Sequence, residues 1–297
     1  MTVRKPKFYF TDVFTASRYG GNPLATFVDC EGLSDEDMQA IAREIHFSET
    51  TFIASREPRE GAWQVRIFTP NSEIDFAGHP TLGTAWVIHE KLLAAAPEEI
   101  VLSLRVGRIP VRFSRVQGRE ALWMKQMPPR FGSTLDAGEV ARMLGLSTDD
   151  IDSRWPVAEV STGFPTVIVP LRSASALARA KIDRERYFAL VGEAWAKNVL
   201  VFAEGGHEPS QSLRVRVFAE YYGVPEDPAT GSGNGCLAAY LVEHGVLGGR
   251  EIDIAVGQGY EMGRPSTLGL RAKKTSEGIE VHVGGGVVGV AEGVWER

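Results

Sequence analysis

The sequence predicts an α+β protein of two similar lobes, each a curved mixed sheet around one buried central helix. Three observations predict it. The order of strands, acidic loop, glycine turn and helix recurs in the two halves, and an R-x-F pattern recurs with it, as Arg66-Ile67-Phe68 and Arg216-Val217-Phe218. Two helical segments at corresponding places, GTAWVI and CLAAYLV, are apolar on nearly every side, which calls for burial all round and a sheet that wraps the helix. A length of 297 residues suits roughly two domains of about 150 residues each.

In the first half, FYFTDVF reads as a strand, Gly20-Gly21-Asn22-Pro23 as a turn and LATFVD as a second strand. A helix follows, with Ser34 as N-cap, Asp35 and Glu36 in the first turn, and Met38, Ile41, Ala42 and Ile45 at helical spacing. FSETTFI and WQVRIFTP, rich in β-branched and aromatic residues, are expected strands. An acidic loop, Asn71 to Asp75, then leads to Gly78-His79-Pro80 and a helix over TLGTAWVIHEKLL, where Pro80 suits the first turn.

The second half repeats this with a turn at Gly163 and Pro165, a strand TVIVP, a helical stretch and a strand NVLVFAE. Then come Arg214 to Phe218, an acidic loop with Glu226 and Asp227, and the helix GCLAAYLVEHG. The two prolines of MKQMPPRF mark the boundary, giving lobes 1–125 and 126–281, the first completed by the last strand, 282–297.

Composition excludes several function classes. With 43% hydrophobic and 24% charged residues the chain is of ordinary globular type. A net charge of −6 argues against a nucleic-acid footprint, which needs a Lys/Arg-rich face. No apolar run reaches the roughly 18 residues a membrane span needs, and the start, MTVRKPKFYFTDVF, lacks a secretory pattern, so the expected location is the cytosol. Cys30 and Cys236 show no metal-ligand spacing, so neither a structural metal nor a disulfide is expected. Gly284 to Gly289 formally match G-x-G-x-x-G, but the flanks read as strand and the chain ends at Arg297, so no dinucleotide cofactor is implied.

Chemistry is therefore sought at the glycine turns DFAGHPTLG and EDPATGSGNG. Each opens a buried helix, and the free N–H groups at Gly78 and His79, and at Gly231 and Ser232, suit a carboxylate or an enolate-like oxygen. Simple helix capping is the alternative. Ionisable groups beside the turns are Glu49, Asp75, His79, Glu226 and Asp227, a set suited to proton transfer. Glu49 leads because it lies in an otherwise uncharged segment, where burying a charge is costly; a solvated strand-edge glutamate is the competing reading. His79 also fits a solvent-facing helix start, and Asp227 before Pro228 an Asx-type turn.

FSETTF, DFAGHPTLG, STGFP, EDPATGSGNG and QGYEMGRPS, in this order, resemble the phenazine-biosynthesis PhzF-like family, and the likeness runs from FTDVF to VGGGVVGVAEG. The resemblance implies the diaminopimelate epimerase-like fold, an active site in the cleft between two duplicated lobes, a homodimer, and no cofactor. It implies isomerisation of trans-2,3-dihydro-3-hydroxyanthranilate or a similar small carboxylate-bearing substrate by a proton shift. Glu49 of the S-E-T motif is then the acid/base, with His79 and Asp227 as catalytic partners and Ser48, Gly78, Gly231 and Ser232 as substrate contacts. Related epimerases carry one cysteine in each glycine loop. Here Ala77 and Thr230 occupy approximately those places, which disfavours a two-thiol mechanism. Two readings stay open: a metabolite- or protein-binding member without catalysis, and an epimerase that uses carboxylates.

Overall fold

The computed structural model describes residues 5–95, 97–116 and 119–296. Two compact units make up the chain: Met1–Lys125 with Gly284–Arg297, and Gln126–Val283. The first unit begins with β1 (Lys7–Val13), β2 (Asn22–Val28), helix α1 (Asp35–Ile45), β3 (Thr50–Ile53), β4 (Trp63–Phe68) and the short β5 (Glu73–Ile74). Helix α2 (Gly78–Val87), β6 (Glu99–Leu104), β7 (Gly107–Val116) and β8 (Arg119–Lys125) follow. In the second unit the order is β9 (Arg130–Thr134), α3 (Ala137–Met143), β10 (Ala158–Ser161), β11 (Thr166–Pro170), α4 (Ala174–Arg179), α5 (Arg184–Glu193) and β12 (Asn198–Glu204). It continues with β13 (Leu213–Ala219), β14 (Val224–Asp227), α6 (Gly231–His244), β15 (Glu251–Gln258) and β16 (Ser266–Lys274); β17 (Ile279–Gly285) and β18 (Val287–Val294) end the chain.

The duplication is visible strand by strand. In the first unit β2 runs parallel to β3 and β3 antiparallel to β4, while β4 pairs antiparallel with β5 and parallel with β6, which turns back as β7. The same relations, in the same order, connect β11, β12, β13, β14, β15 and β16. β1 flanks β2 with β18 beyond it, as β10 flanks β11 with β9 beyond it. The last strand of the chain thus fills in the first unit the place that β9 holds in the second.

One helix lies at the centre of each unit. α2 is buried along nearly its whole length and packs against β1, β2, β3, β6, β7, β8 and β18; α6 packs against β10, β11, β12, β15 and β16. The close approach of α2 needs Gly83, where a Cβ would come within 2.5 Å of Leu24 Cδ2 and 2.9 Å of Val13 Cγ2. The opposite face of the first sheet is covered by α1, whose Met38, Ile41 and Ala42 meet Phe27, Phe52 and Phe68. In the second unit Val167, Val169, Val199 and Val201 face the α3–α5 layer, and Leu200 faces α6 beside Gly233. Burial on both faces explains why TVIVP and NVLVFAE read as continuous apolar runs and not as alternation.

Local signals act as the sequence suggests at α1. Ser34 caps it in a reciprocal box: its hydroxyl accepts from Asp37 N at 3.1 Å and its own N–H donates to Asp37 at 3.0 Å. At its other end His46 adopts a left-handed φ of 58°, which turns the chain sharply. That turn corrects one expectation: Phe47, Ser48 and Glu49 precede β3 and are not part of it. The acidic segments are also more ordered than loops, since Glu73–Ile74 and Val224–Asp227 pair with β4 and β13. The helical stretch of the second half is two helices, α4 and α5, capped by Ser173 and Asp183. No helix among the described residues is long and apolar enough to cross a membrane.

Candidate active site

The first glycine turn places Glu49 and His79 together. Glu49 Oε2 lies 3.3 Å from His79 Nε2, with the Glu49 side chain 17% exposed and His79 5% exposed. Desolvation pushes the imidazole down to about 3, against a backbone hydrogen bond at Pro23 that opposes the shift, so the ring is neutral at physiological pH. Proline has no N–H, so the ring donates to the Pro23 carbonyl. Nε2 faces Glu49, which makes Nδ1 the donor and leaves a lone pair on Nε2.

The GGNP turn seats that carbonyl. Gly21 has φ +64°, and a Cβ there would stand 2.2 Å from the Val13 carbonyl oxygen, so a tight turn delivers Pro23 under the histidine. Gly78 is the buried first residue of α2, whose N-cap, Ala77, makes no side-chain capping bond, and no acidic residue occupies the first turn. The helix start is thereby suited to an anion. Ser48 lies beside Glu49, partly exposed.

The second glycine turn is built separately in the other unit. Asp227 ends β14, Thr230 is the N-cap of α6, and Gly231 and Ser232 form its first turn, again without acidic residues or a side-chain cap. The Thr230 hydroxyl bonds to Asp227 Oδ2. The fully buried Gln258 bonds to the Asp227 carbonyl at 2.7 Å and to Thr230 Oγ1 at 3.0 Å.

Two members of the expected ionisable set belong elsewhere. Asp75 is 67% exposed and 3.8 Å from Arg105. Glu226 is held by Arg216 through Nε and Nη2, both at 2.8 Å, while Arg216 Nη1 reaches the carbonyls of Leu177 and Ala180. In the first unit Arg66 grips Glu73 in the same fork, at 2.8 and 2.7 Å. The duplicated R-x-F pattern is therefore an anchor for the acidic strand before each turn. Pro23, Gln258 and Asn234 stand within the motifs GGNP, QGYEMGRPS and EDPATGSGNG, but sequence reasoning gave none of them a role at the turns.

Both cysteines are buried, and burial raises the thiol of each. Cys236 faces Thr162 and the Phe164 carbonyl from within α6, away from the turn. Among the described residues no group of three His, Cys, Asp or Glu side chains is arranged to hold a metal ion.

The two-unit fold is shared with a probable proline racemase from Agrobacterium radiobacter, at a TM-score of 0.64 with 10% identity over 98% of this chain and 93% of that one. Closer in shape is a phenazine biosynthesis protein of the PhzF family from Bacillus anthracis, at a TM-score of 0.91 with 27% identity over 99% and 100% of the two chains. The chain belongs to the family described as phenazine biosynthesis-like protein, whose model matches residues 11–293. Among its relatives is trans-2,3-dihydro-3-hydroxyanthranilate isomerase of Pseudomonas aeruginosa, 35% identical over 97% of this chain and 98% of that protein. An isomerase of the same name from Pseudomonas chlororaphis is 35% identical over 96% and 98%.

Proposed function

We propose that the chain is a cofactor-independent isomerase that moves a proton between two carbons of a small carboxylate-bearing substrate, with Glu49 as the acid/base. Relatives named trans-2,3-dihydro-3-hydroxyanthranilate isomerase support this substrate class. The observation that carries the reading is the contact between Glu49 and a neutral His79 whose tautomer is set by Pro23. A neutral Nε2 accepts a hydrogen from a carboxylic acid and offers none to a carboxylate. It can therefore receive the hydrogen of Glu49 when that carboxyl carries the proton.

In the reaction, ionised Glu49 takes a proton from an activated C–H group. The electron pair of that bond moves into the conjugated system of the substrate and an O–H bond forms on Glu49. The proton held on Glu49 exchanges with solvent, and Glu49 then protonates a second carbon, so nothing is oxidised or reduced. In this reading the N–H group of Gly78, with Ser48, in the first unit, and the N–H groups of Gly231 and Ser232 in the second, are each suited to a carboxylate or a developing charge. Asp227 accepts a hydrogen from an amino or hydroxyl group.

Turnover of trans-2,3-dihydro-3-hydroxyanthranilate in D2O tests the assignment. Wild type is expected to give product labelled at one carbon, and Glu49→Gln to lose about a thousandfold in rate while remaining folded. Full turnover by Glu49→Gln overturns it. Binding of the compound with no deuterium incorporated points instead to a binding protein, and inversion at one centre without a double-bond shift to an epimerase.

A further inference from the structure

The QGYEMGRPS segment packs under the second glycine turn. Gly259, with φ +77°, lies so close to it that a Cβ would stand 2.5 Å from the Pro228 carbonyl oxygen and 2.4 Å from that of Arg264. The Ser266 hydroxyl is 2.9 Å from both carbonyls. Gln258, at the head of the segment, has an amide whose orientation follows from its four neighbours. Oε1 accepts from Thr230 N at 3.2 Å and Asn234 Nδ2 at 2.8 Å, so Nε2 is the end that donates to the Asp227 carbonyl and to Thr230 Oγ1.

This settles the direction of the next bond. Thr230 Oγ1 receives a hydrogen from Gln258, which has none of its lone pairs on that side, so the hydroxyl hydrogen goes to Asp227 Oδ2. Hydrogen bonds then run one way, from Gln258 through Thr230 to the Asp227 carboxylate. Of the charges on β13 and β14, Arg216 and Glu226 neutralise each other in their fork, and Arg214 reaches the carbonyls of Gly205 and Gly206.

We propose that Gln258 and Thr230 are positioning residues that hold Asp227 as a fixed hydrogen-bond acceptor, so that the second glycine turn selects substrates presenting an amino or hydroxyl donor. The selectivity part rests on the reading of Asp227 as a substrate contact; the hydrogen-bond chain does not.

Titration of the Asp227 carboxyl by 13C NMR in aspartate-labelled, ligand-free protein tests the chain, with Asp227→Asn identifying the signal. Thr230→Val is expected to move the midpoint up by about one pH unit, since a donor to the charged form is lost. Gln258→Glu, which accepts from Thr230 and turns its hydroxyl away, is expected to move it at least as far, and Thr230→Ser to leave it in place. If either substitution prevents folding, the other is read against Thr230→Ser. An unmoved midpoint in folded Thr230→Val and Gln258→Glu overturns the proposal.

For selectivity, wild type is expected to bind anthranilate about tenfold more tightly than benzoate, and Thr230→Val to narrow that ratio. Equal affinities, or no measurable binding of either, reject donor selection while leaving the titration result standing. Full turnover by Glu49→Gln would sink the isomerase reading and touch neither measurement.

Discussion

Arg216 and Glu226 form a two-toothed ion pair, 2.8 Å at each contact, one residue before Asp227. Arg216 is 8% exposed, so removing the arginine leaves a carboxylate largely out of water and three carbonyl contacts unmade. Arg216→Ala is expected to cost about 3 kcal/mol of unfolding free energy, in the range for breaking a buried pair. The more exposed Arg66 should cost about 1 kcal/mol when changed to Ala. Urea denaturation of the two variants checks the ordering; equal losses would contradict the anchoring account.

Gly83→Ala and Gly259→Ala are predicted to differ in kind. At Gly83 the obstacles are the side-chain ends of Leu24 and Val13, so Ala should cost about 1–3 kcal/mol and Leu24→Val should recover part of it. At Gly259 the obstacles are backbone carbonyls and φ is positive, so the loss should be larger and no single side-chain truncation should rescue it. Thermal melts of the two single variants and the double variant decide this.

His79 makes stability depend on pH in a stated direction. Its ordinary value of 6.5 falls to about 3 in the fold because of desolvation, so between these values the unfolded chain binds a proton that the folded chain refuses. The contribution is fully present above pH 6.5 and is lost as pH falls from 6.5 toward 3. Between pH 7 and pH 5, wild type should lose about 2 kcal/mol more than His79→Gln does. Parallel pH profiles in urea unfolding would show that the ring is not held neutral.

Ser34→Ala removes one half of the reciprocal cap of α1. About 1 kcal/mol of stability should be lost, and Asp37→Ala in addition should cost less than it does alone, because the two bonds act as a pair. A double-mutant cycle on urea midpoints measures that coupling.

Much of the fold was legible because its signals are local. The Ser34 cap, the apolar runs over Thr166–Pro170 and Asn198–Glu204, and the all-round apolar helices each follow from short-range spacing, and all appear in the fold. Glu49 was mistaken for a strand residue because the left-handed turn at His46 carries no glycine to announce it. Glu226 looked like a catalytic candidate because its partner, Arg216, is ten residues away and meets it only across paired strands.

By itself the sequence determined the duplicated α+β plan, the family and the set of residue types at the two glycine turns, since these depend on periodicity, composition and order along the chain. Only the tertiary structure decided which polar groups face one another: the lone pair of His79 toward Glu49, and the one-way chain from Gln258 through Thr230 to Asp227. The physical reason is that a hydrogen bond has a direction and a length of about 3 Å. Residues far apart along the chain, 30 positions for Glu49 and His79 and 28 for Thr230 and Gln258, acquire both only when the backbone between them has folded.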